Sequence, residues 1–195
     1  MVNKKKAPMI AKPSKTFGEY VEEQITKEKN DWHKPTIGII HASSLGYIHT
    51  GKSAPKDFFN KSKPAGRMVS GSAMHSYLGK LFRETEIPIS IEVDRDLKII
   101  GRVDLLTPKG ELADIKSVER FPEKPYPEHI IQLSAYMVGM GKTCGWLFYV
   151  SKIDYFKSKD FKVEFDKELW EQVLDSTRNY HLKVKQLYGT MEKVG

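Results

Sequence analysis

The segment GRVDLLTPKGELADIKS, residues 101–117, constrains the fold of this chain more than any other. Its two apolar runs are separated by TPKG, where proline at the second position and glycine at the fourth favour a type I turn. The segment therefore predicts a β-hairpin. Because side chains alternate across a strand, we expect pairing across the turn to bring Asp104 beside Asp114, with Lys116 on the same face as Asp114.

This pair of carboxylates has a chemical consequence. Two ionised carboxylates held close together repel each other, and a divalent cation offsets that cost. Mg²⁺ and Mn²⁺ prefer such oxygen ligands and make a bound water more acidic. A lysine on the same face can hold that water or balance the charge that develops on a phosphate. The hairpin thus predicts a phosphodiester hydrolysis site. The alternative is a solvated strand face with an incidental Asp–Lys pair.

Two predicted helices carry further polar residues. In EHIIQLSAYM, Gln132 and Tyr136 are four residues apart and lie on one helix face, with His129 near that face. In GSAMHSYLG, His75 lies in an otherwise apolar helix among small residues, which would allow a close approach by a metal or another element. The alternatives are an incidental polar pair and an ordinary core or surface histidine.

The rest of the pattern predicts an α/β (α+β) fold with a central mixed β-sheet flanked by helices. Residues 37–66 are expected to hold a short strand, loop and one helical turn near 56–60. We also expect a helix that Pro127 begins and a long amphipathic helix that Asp166 caps. The other predicted elements are a helix at 67–83 and strands in EIPISIEVD, LKIIGRVDLL, ELADIKS, GWLFYVSKI and DFKVEF.

The predicted domain organisation is simple. Residues 1–15 would form a flexible basic arm, and residues 16–195 a single domain. Within that domain we expect a helical N-terminal part (16–83), a catalytic core (84–165) and a C-terminal helix (166–195).

Charge and cysteine content narrow the partners. The chain carries 32 Lys and Arg against 25 Asp and Glu, a formal net charge of +7. That balance favours nucleic acid first and anionic membrane second. No apolar run approaches the roughly 20 residues that span a membrane, and no secretory segment is recognisable. The single cysteine, Cys144, excludes an internal disulfide, a structural zinc site and an iron–sulfur cluster. The expected location is the cytoplasm, or a host's cytoplasm for a viral protein.

Taken in order, His75, GRVD, DIK and QLSAY resemble the motifs of the PD-(D/E)xK nucleases, in the RecB-like branch that includes the Cas4-like nucleases and the lambda-type exonucleases. The resemblance covers roughly residues 66–150. It implies a restriction-endonuclease-like core. It also implies an N-terminal helical arch, over residues 16–83, under which a single strand would thread.

The resemblance implies a role for each residue of the hairpin. Asp104 and Asp114 would bind Mg²⁺ or Mn²⁺ through their carboxylates. His75 would be a further ligand, and the backbone carbonyl of Ile115 would complete the protein ligands. Lys116 would position the attacking water and stabilise the transition state.

Other residues would support this site. Gln132 and Tyr136 would hold it together and touch the DNA strand. Two roles stay open for Ser43 and Ser44, namely contact with a phosphate and capping of a helix N-terminus. Glu92 is either the family's acid on an early element or a solvent-facing strand residue. The chain departs from the Cas4-like pattern at Ala54, which precedes Pro55 where a cluster-binding cysteine would stand, and the C-terminal cysteines are absent too.

The sequence therefore predicts a metal-dependent deoxyribonuclease, with an exonuclease that acts on single strands or DNA ends favoured. The alternatives are a structure-specific endonuclease, a non-catalytic nucleic-acid-binding scaffold of nuclease fold, and a basic structural protein with a coincidental hairpin. DNA is the expected partner, and a recombination or replication protein is a possible second one. Replication, recombination and repair are the expected settings.

Overall fold

The computed structural model describes residues 36–55, 58, 77, 84–154 and 157–191. Outside these residues lie the predicted basic arm, the helix at 67–83 except Tyr77, His75 and most of the expected arch. Most of the predicted turn at 56–60 lies outside them too. The described elements are β1 (Ile39–His41), α1 (Ala42–His49), β2 (Glu84–Asp94), β3 (Leu97–Leu106), β4 (Leu112–Val118), α2 (Pro127–Met140), β5 (Cys144–Ser151), β6 (Ser158–Glu164) and α3 (Lys167–Met191).

The strands form one six-stranded mixed sheet. Its order is β1–β3–β4–β5–β6, and β2 pairs with β3. The pairs β1–β3 and β4–β5 are parallel, whereas β2–β3, β3–β4 and β5–β6 are antiparallel. Helix α2 connects the parallel strands β4 and β5, as a crossover connection requires. The predicted mixed sheet flanked by helices is confirmed.

One edge of β3 is shared by two strands. Strand β1 pairs with residues 98–100, and β4 pairs only with Leu105 and Leu106. Within the described residues, neither β1 nor β4 supplies register partners for residues 101–104 on this edge. The sheet therefore opens locally beside Asp104, while β2 continues to pair along the other edge of β3.

The helices begin and end for reasons that the sequence contains. Pro127 is the first residue of α2, and Gly141 ends that helix in the left-handed conformation, with φ of 62°. The Asp166 Oδ1 atom accepts a hydrogen bond of 3.0 Å from the Leu169 backbone N–H and so caps α3, as predicted. The apolar faces of the helices pack on the sheet in one core that includes Leu45, Leu97, Ile99, Leu133, Met137, Leu147 and Val173.

Helix α1 occupies a segment where the sequence predicted a strand followed by loop. Its N-cap is His41, and Ser43 and Ser44 lie inside the first turn, so the proposed capping role of these serines is wrong. The helix depends on a tertiary contact that no local pattern reveals. A Cβ at Gly46 would stand 2.4 Å from the Glu128 Cα, so only glycine lets α1 approach the start of α2 so closely.

None of the helices in the described part of the chain is long and apolar enough to cross a membrane. Cys144 lies half-buried at the start of β5.

Candidate active site

The site begins where β3 and β4 separate. Their last register pair towards the opening is Leu105 with Ala113, so Asp104 and Asp114 are the next residues on the two strands. Beyond that pair a side chain replaces the backbone ladder. Asp104 Oδ2 accepts a hydrogen bond of 2.6 Å from the Ile115 backbone N–H. This bond satisfies a backbone donor that would otherwise lose its partner at the opening, and it fixes the Asp104 carboxylate beside β4.

Asp114 is fully buried, with 0% of its surface exposed. A buried carboxylate requires a compensating charge, and Lys116 supplies it. The Lys116 ammonium donates a hydrogen bond of 3.1 Å to Asp114 Oδ1 and lies 2.8 Å from Oδ2. Only 15% of the Lys116 side chain is exposed, so this ion pair is largely withdrawn from water. Asp114 and Lys116, which the sequence placed on one strand face, therefore form a close ion pair.

A chain of hydrogen bonds extends from the lysine into α2. Lys116 Nζ donates to Gln132 Oε1 at 2.8 Å, and Gln132 Nε2 donates to the Tyr136 hydroxyl at 2.7 Å. Burial, and then the negative charge of Asp114, raise the pKa of the Tyr136 hydroxyl above its usual range. The tyrosine therefore stays neutral and acts as an acceptor that holds the Gln132 amide in one orientation. Tyr136 is only 4% exposed, and its described contact at the site is the hydrogen bond from Gln132. Direct contact of Tyr136 with DNA stays a prediction.

A second cluster adjoins Lys116. Tyr149 of β5 is the register partner of Lys116, and its hydroxyl lies 2.9 Å from His129 Nδ1. The same hydroxyl oxygen accepts a hydrogen bond of 3.2 Å from the Tyr126 backbone N–H. Burial lowers the pKa of His129 to about 4, with the positive charge of Lys116 as a further cause. Burial likewise raises the pKa of the Tyr149 hydroxyl to about 12. Both rings are therefore neutral near pH 7.

Glu86 is an acidic residue that the sequence reasoning missed. It lies in β2 between Thr85 and Ile87, the register partners of Leu105 and Val103, and its φ of 55° is the one positive value among the described non-glycine residues. Such a conformation costs on the order of 1 kcal/mol and is common near functional sites. Its carboxylate lies 3.7 Å from the Arg102 guanidinium. Glu92, by contrast, is exposed and pairs with Lys98, which matches the solvent-facing alternative.

Two predicted site residues are not seen at this cluster. Ser44 lies half-buried in α1, and none of the hydrogen bonds described for residues 36–55 or 84–154 joins it to Asp104, Asp114 or Lys116. A contact of Ser44 with a phosphate stays a prediction. His75 is outside the described residues, so its role as a ligand stays a prediction as well.

The donor atoms fit a hard divalent cation in chemical type. The Asp104 and Asp114 carboxylates are oxygen ligands of the kind that Mg²⁺ and Mn²⁺ prefer, and they lie on facing strand positions. Within the described ranges no three His, Cys, Asp or Glu side chains are grouped closely enough to hold a metal ion alone.

Comparisons with known proteins bear on the fold. No protein-family model and no curated protein matches the sequence. Among solved structures, the protein SSO0001 superposes with a TM-score of 0.63 at 17% identity, and the match covers 86% of each chain. A phage-related exonuclease from Haemophilus somnus 129PT superposes with a TM-score of 0.60 at 14% identity, and the match covers 84% of this chain and 99% of that one.

The alkaline exonuclease LHK-Exo from Laribacter hongkongensis superposes with a TM-score of 0.58 at 16% identity, covering 85% of this chain and all of that one. The structure of LHK-Exo in complex with dAMP superposes with a TM-score of 0.54 at 16% identity, and the match covers 82% of this chain and 96% of that one. The chain shares its fold with these structures. This agrees with the nuclease fold expected from GRVD, DIK and QLSAY. The more specific assignment to the RecB-like branch stays a prediction.

Sequence reasoning missed three partners of the site: Tyr149, Tyr126 and Glu86. Tyr149 had a usable signal, because a tyrosine in an apolar strand needs a partner for its hydroxyl. Tyr126, just before Pro127, was missed because its contact with the site is made through Tyr149, which is distant in the sequence. The conformation of Glu86 has no local signal, since glutamate ordinarily fits an extended strand.

Proposed function

We propose that this chain is a divalent-metal-dependent DNA nuclease that hydrolyses phosphodiester bonds, and specifically an exonuclease acting on single strands or DNA ends. The observation that carries the proposal is the ion pair between the fully buried Asp114 and Lys116, placed opposite Asp104 where the sheet opens. A buried carboxylate and lysine beside a second carboxylate are costly for stability alone, which favours a chemical role.

The contacts of Asp104 and Asp114 support the role proposed for them. Asp104 and Asp114 would hold Mg²⁺ or Mn²⁺, with the Ile115 carbonyl and His75 as the further expected ligands. When bound, the cation would acidify water and neutralise charge on the phosphate. Asp104 is held ready for this role by the Ile115 N–H.

Lys116 would bind the reacting groups. Its ammonium has three N–H donors, of which one points at Asp114 and one at Gln132. The third can be given to the attacking water or to a phosphate oxygen. Gln132 prevents the ammonium from swinging away from that position, and Tyr136 in turn holds Gln132. Charge that develops on the phosphate would meet a donor already oriented for it, which is the most effective form of electrostatic catalysis.

DNA as the substrate is supported by two observations. LHK-Exo, whose fold this chain shares, binds dAMP. The net charge of +7 favours a polyanion. A setting in replication, recombination or repair, a partner protein from those processes, and a cytoplasmic location stay predictions.

The test is cleavage of 5′- and 3′-labelled single-stranded and duplex oligonucleotides with Mg²⁺, Mn²⁺ or EDTA. The unsubstituted protein is compared with Asp114→Asn, which keeps the size of the buried side chain. We expect metal-dependent shortening from one end that the variant lacks. A closed circular single strand serves as the control for end dependence.

Each outcome distinguishes one reading. Cutting of the circular strand would make the enzyme an endonuclease. Binding of DNA without cutting under any metal would favour the non-catalytic scaffold. If the protein neither binds nor cuts any of these oligonucleotides, a nucleic-acid function is contradicted altogether.

A further inference from the structure

An exposed aromatic ring is held rigidly beside the candidate site. Tyr126 is the N-cap residue of α2 and is 44% exposed. Its ring meets the His129 ring edge to face, with centroids 5.3 Å apart and planes at 90°, and meets Tyr149 at 6.2 Å and 72°. Its backbone N–H donates to the Tyr149 hydroxyl. A tyrosine that only filled surface space would not need three such contacts.

The loop that carries Tyr126 is also anchored. Lys159 Nζ donates a hydrogen bond of 2.9 Å to the Pro122 carbonyl and lies 4.9 Å from the centre of the Phe161 ring. Phe161 in turn packs edge to face on Tyr149, with centroids 5.7 Å apart. Tyr126 is therefore presented to solvent on a fixed support, which lowers the entropy cost of binding a planar ligand.

We assign the tautomer of this histidine from its contacts. The Tyr149 oxygen accepts the Tyr126 N–H, and we assign its own proton to His129 Nδ1, 2.9 Å away. A neutral imidazole that accepts at Nδ1 carries its proton on Nε2. In the described part of the chain no hydrogen bond is made by His129 Nε2. This N–H is thus an uncharged donor that a ligand oxygen can use.

The cluster lies one strand from the predicted catalytic lysine. Tyr149 and Lys116 are register partners on β5 and β4, which are about 4.8 Å apart in a sheet. On α2, His129 precedes Gln132 by one helical turn, and Gln132 binds Lys116. A strand whose phosphate lies at Lys116 would place an adjoining nucleotide within reach of the imidazole and the Tyr126 ring.

On this basis, and resting on the nuclease function above, we propose that Tyr126 and His129 form a nucleotide subsite next to the scissile bond. The Tyr126 ring would stack on the base, and the His129 Nε2–H would donate to an oxygen of that nucleotide's phosphate. The site would take any base, because every base offers a flat aromatic face. It would favour single-stranded DNA, since a base that stacks on Tyr126 has to leave its duplex.

The test is an abasic scan combined with substitution. Binding of a single-stranded oligonucleotide is measured by fluorescence anisotropy in EDTA, with one abasic nucleotide moved stepwise along the strand from one end. We expect one position at which loss of the base weakens binding by about tenfold. In Tyr126→Ala the whole oligonucleotide should bind about tenfold more weakly, and the abasic nucleotide at that position should cost nothing further. Tyr126→Phe should behave as the unsubstituted protein does.

The phosphate contact needs its own pair of variants. His129→Gln keeps an N–H donor and should hold affinity within about twofold, whereas His129→Phe keeps a flat ring without the donor and should lose several-fold. Tyr188→Ala is the matched control: Tyr188 is 41% exposed, and it lies on α3 one turn from Lys185, which pairs with Asp96 at the far end of β3 from Asp104.

The outcomes separate the two proposals. If Tyr126→Ala and the abasic nucleotide weaken binding additively at every position, the subsite is overturned while the nuclease function stands. Equal losses in Tyr188→Ala and Tyr126→Ala would overturn it as well. If the unsubstituted protein neither binds nor cleaves any oligonucleotide, the proposed function fails and the subsite fails with it.

Discussion

The backbone of Gly101 lies directly against the ring of Tyr136. A Cβ at residue 101 would stand 3.0 Å from the Tyr136 Cε1 atom and 3.0 Å from the Ala42 Cβ. Gly101 is three residues before Asp104, and Tyr136 holds Gln132, the partner of Lys116. The glycine of GRVD and the tyrosine of QLSAY are thus one packing unit: α2 can approach β3 closely enough to reach the lysine because residue 101 has no side chain.

Replacing this glycine should therefore disturb the site through packing alone. Gly101→Ala inserts a methyl group into a contact with little room, and overpacking of this kind costs about 1–3 kcal/mol. We expect the urea midpoint to fall accordingly and the cleavage rate to fall with it, because the Tyr136–Gln132–Lys116 chain is displaced.

The partner substitution gives the control. If the Tyr136 ring is the obstacle, Tyr136→Leu should relieve part of the cost, so that the double variant is less destabilised than the sum of the single variants. Simple additivity would show that the ring is not what excludes a Cβ at residue 101.

The elements predicted correctly are those with local causes. The TPKG turn forms, with the Gly110 N–H donating to the Thr107 carbonyl at 2.8 Å. Pro127 begins α2, and Asp166 caps α3 through its own side chain. In each case the chemistry of the residue itself determines the local structure, so a single sequence is enough to predict it.

What could not be predicted depends on contacts between distant segments. The helix α1 was missed because Gly46, a weak helix residue by itself, is required by the approach of Glu128. The opening of the sheet was missed because the Asp104 side chain replaces a backbone partner of Ile115. A hairpin pattern predicts that two strands pair, but it contains no signal for where they part.

Asp104 accepts the Ile115 N–H and is also a proposed metal ligand. A matched pair of substitutions separates these two roles. Asp104→Asn keeps an oxygen that can accept the Ile115 N–H, whereas Asp104→Ala leaves that donor unsatisfied. We expect the alanine variant to be less stable than the asparagine variant by about 1–3 kcal/mol. Both should bind Mn²⁺ more weakly than the unsubstituted protein, because both lack the negative charge.

Two measurements check this. Urea denaturation in EDTA reports the backbone contact, and calorimetric titration with Mn²⁺ reports the charge. Equal stability of the two variants would show that the hydrogen bond to Ile115 contributes little. Unchanged Mn²⁺ affinity in Asp104→Asn would remove Asp104 from the ligand set.

Replacing Lys116 should lower both stability and the cleavage rate, and added metal should restore the stability but not the cleavage rate. Lys116→Met removes the cation that compensates the buried Asp114, and breaking such a pair costs about 3 kcal/mol. Mn²⁺ can take over that compensation, so the variant's melting temperature should rise more steeply with Mn²⁺ than that of the unsubstituted protein. Its cleavage rate should stay about 10²–10³-fold lower at saturating metal, since a transition-state donor is missing.

The control is Lys52→Met, which removes the cation paired with the largely buried Glu128 at the start of α2. That change should leave the Mn²⁺ dependence of the melting temperature as it is in the unsubstituted protein. Wild-type cleavage by Lys116→Met would exclude the lysine from the reaction.

The pKa of His129 leads to a prediction about acid stability. Burial lowers that pKa to about 4 in the folded protein, from about 6.5 in the unfolded chain. Between these values the unfolded chain binds more protons than the folded one, so the free energy of unfolding rises with pH across the window and is lost as pH falls from about 6.5 towards 4. Because the imidazole is partly exposed, we expect His129 to account for about 1–2 kcal/mol between pH 7.5 and pH 4.5.

His129→Gln isolates this contribution, because glutamine cannot gain the proton and other titrating groups are shared. Urea midpoints of the two proteins at pH 7.5, 5.5 and 4.5 should show the variant losing less stability on acidification. Direct titration of the imidazole by NMR should give a midpoint near pH 4. Parallel pH profiles, or an imidazole that titrates near 6.5, would mean that His129 is not held neutral by its site, and the tautomer assigned from Tyr149 would lose its basis.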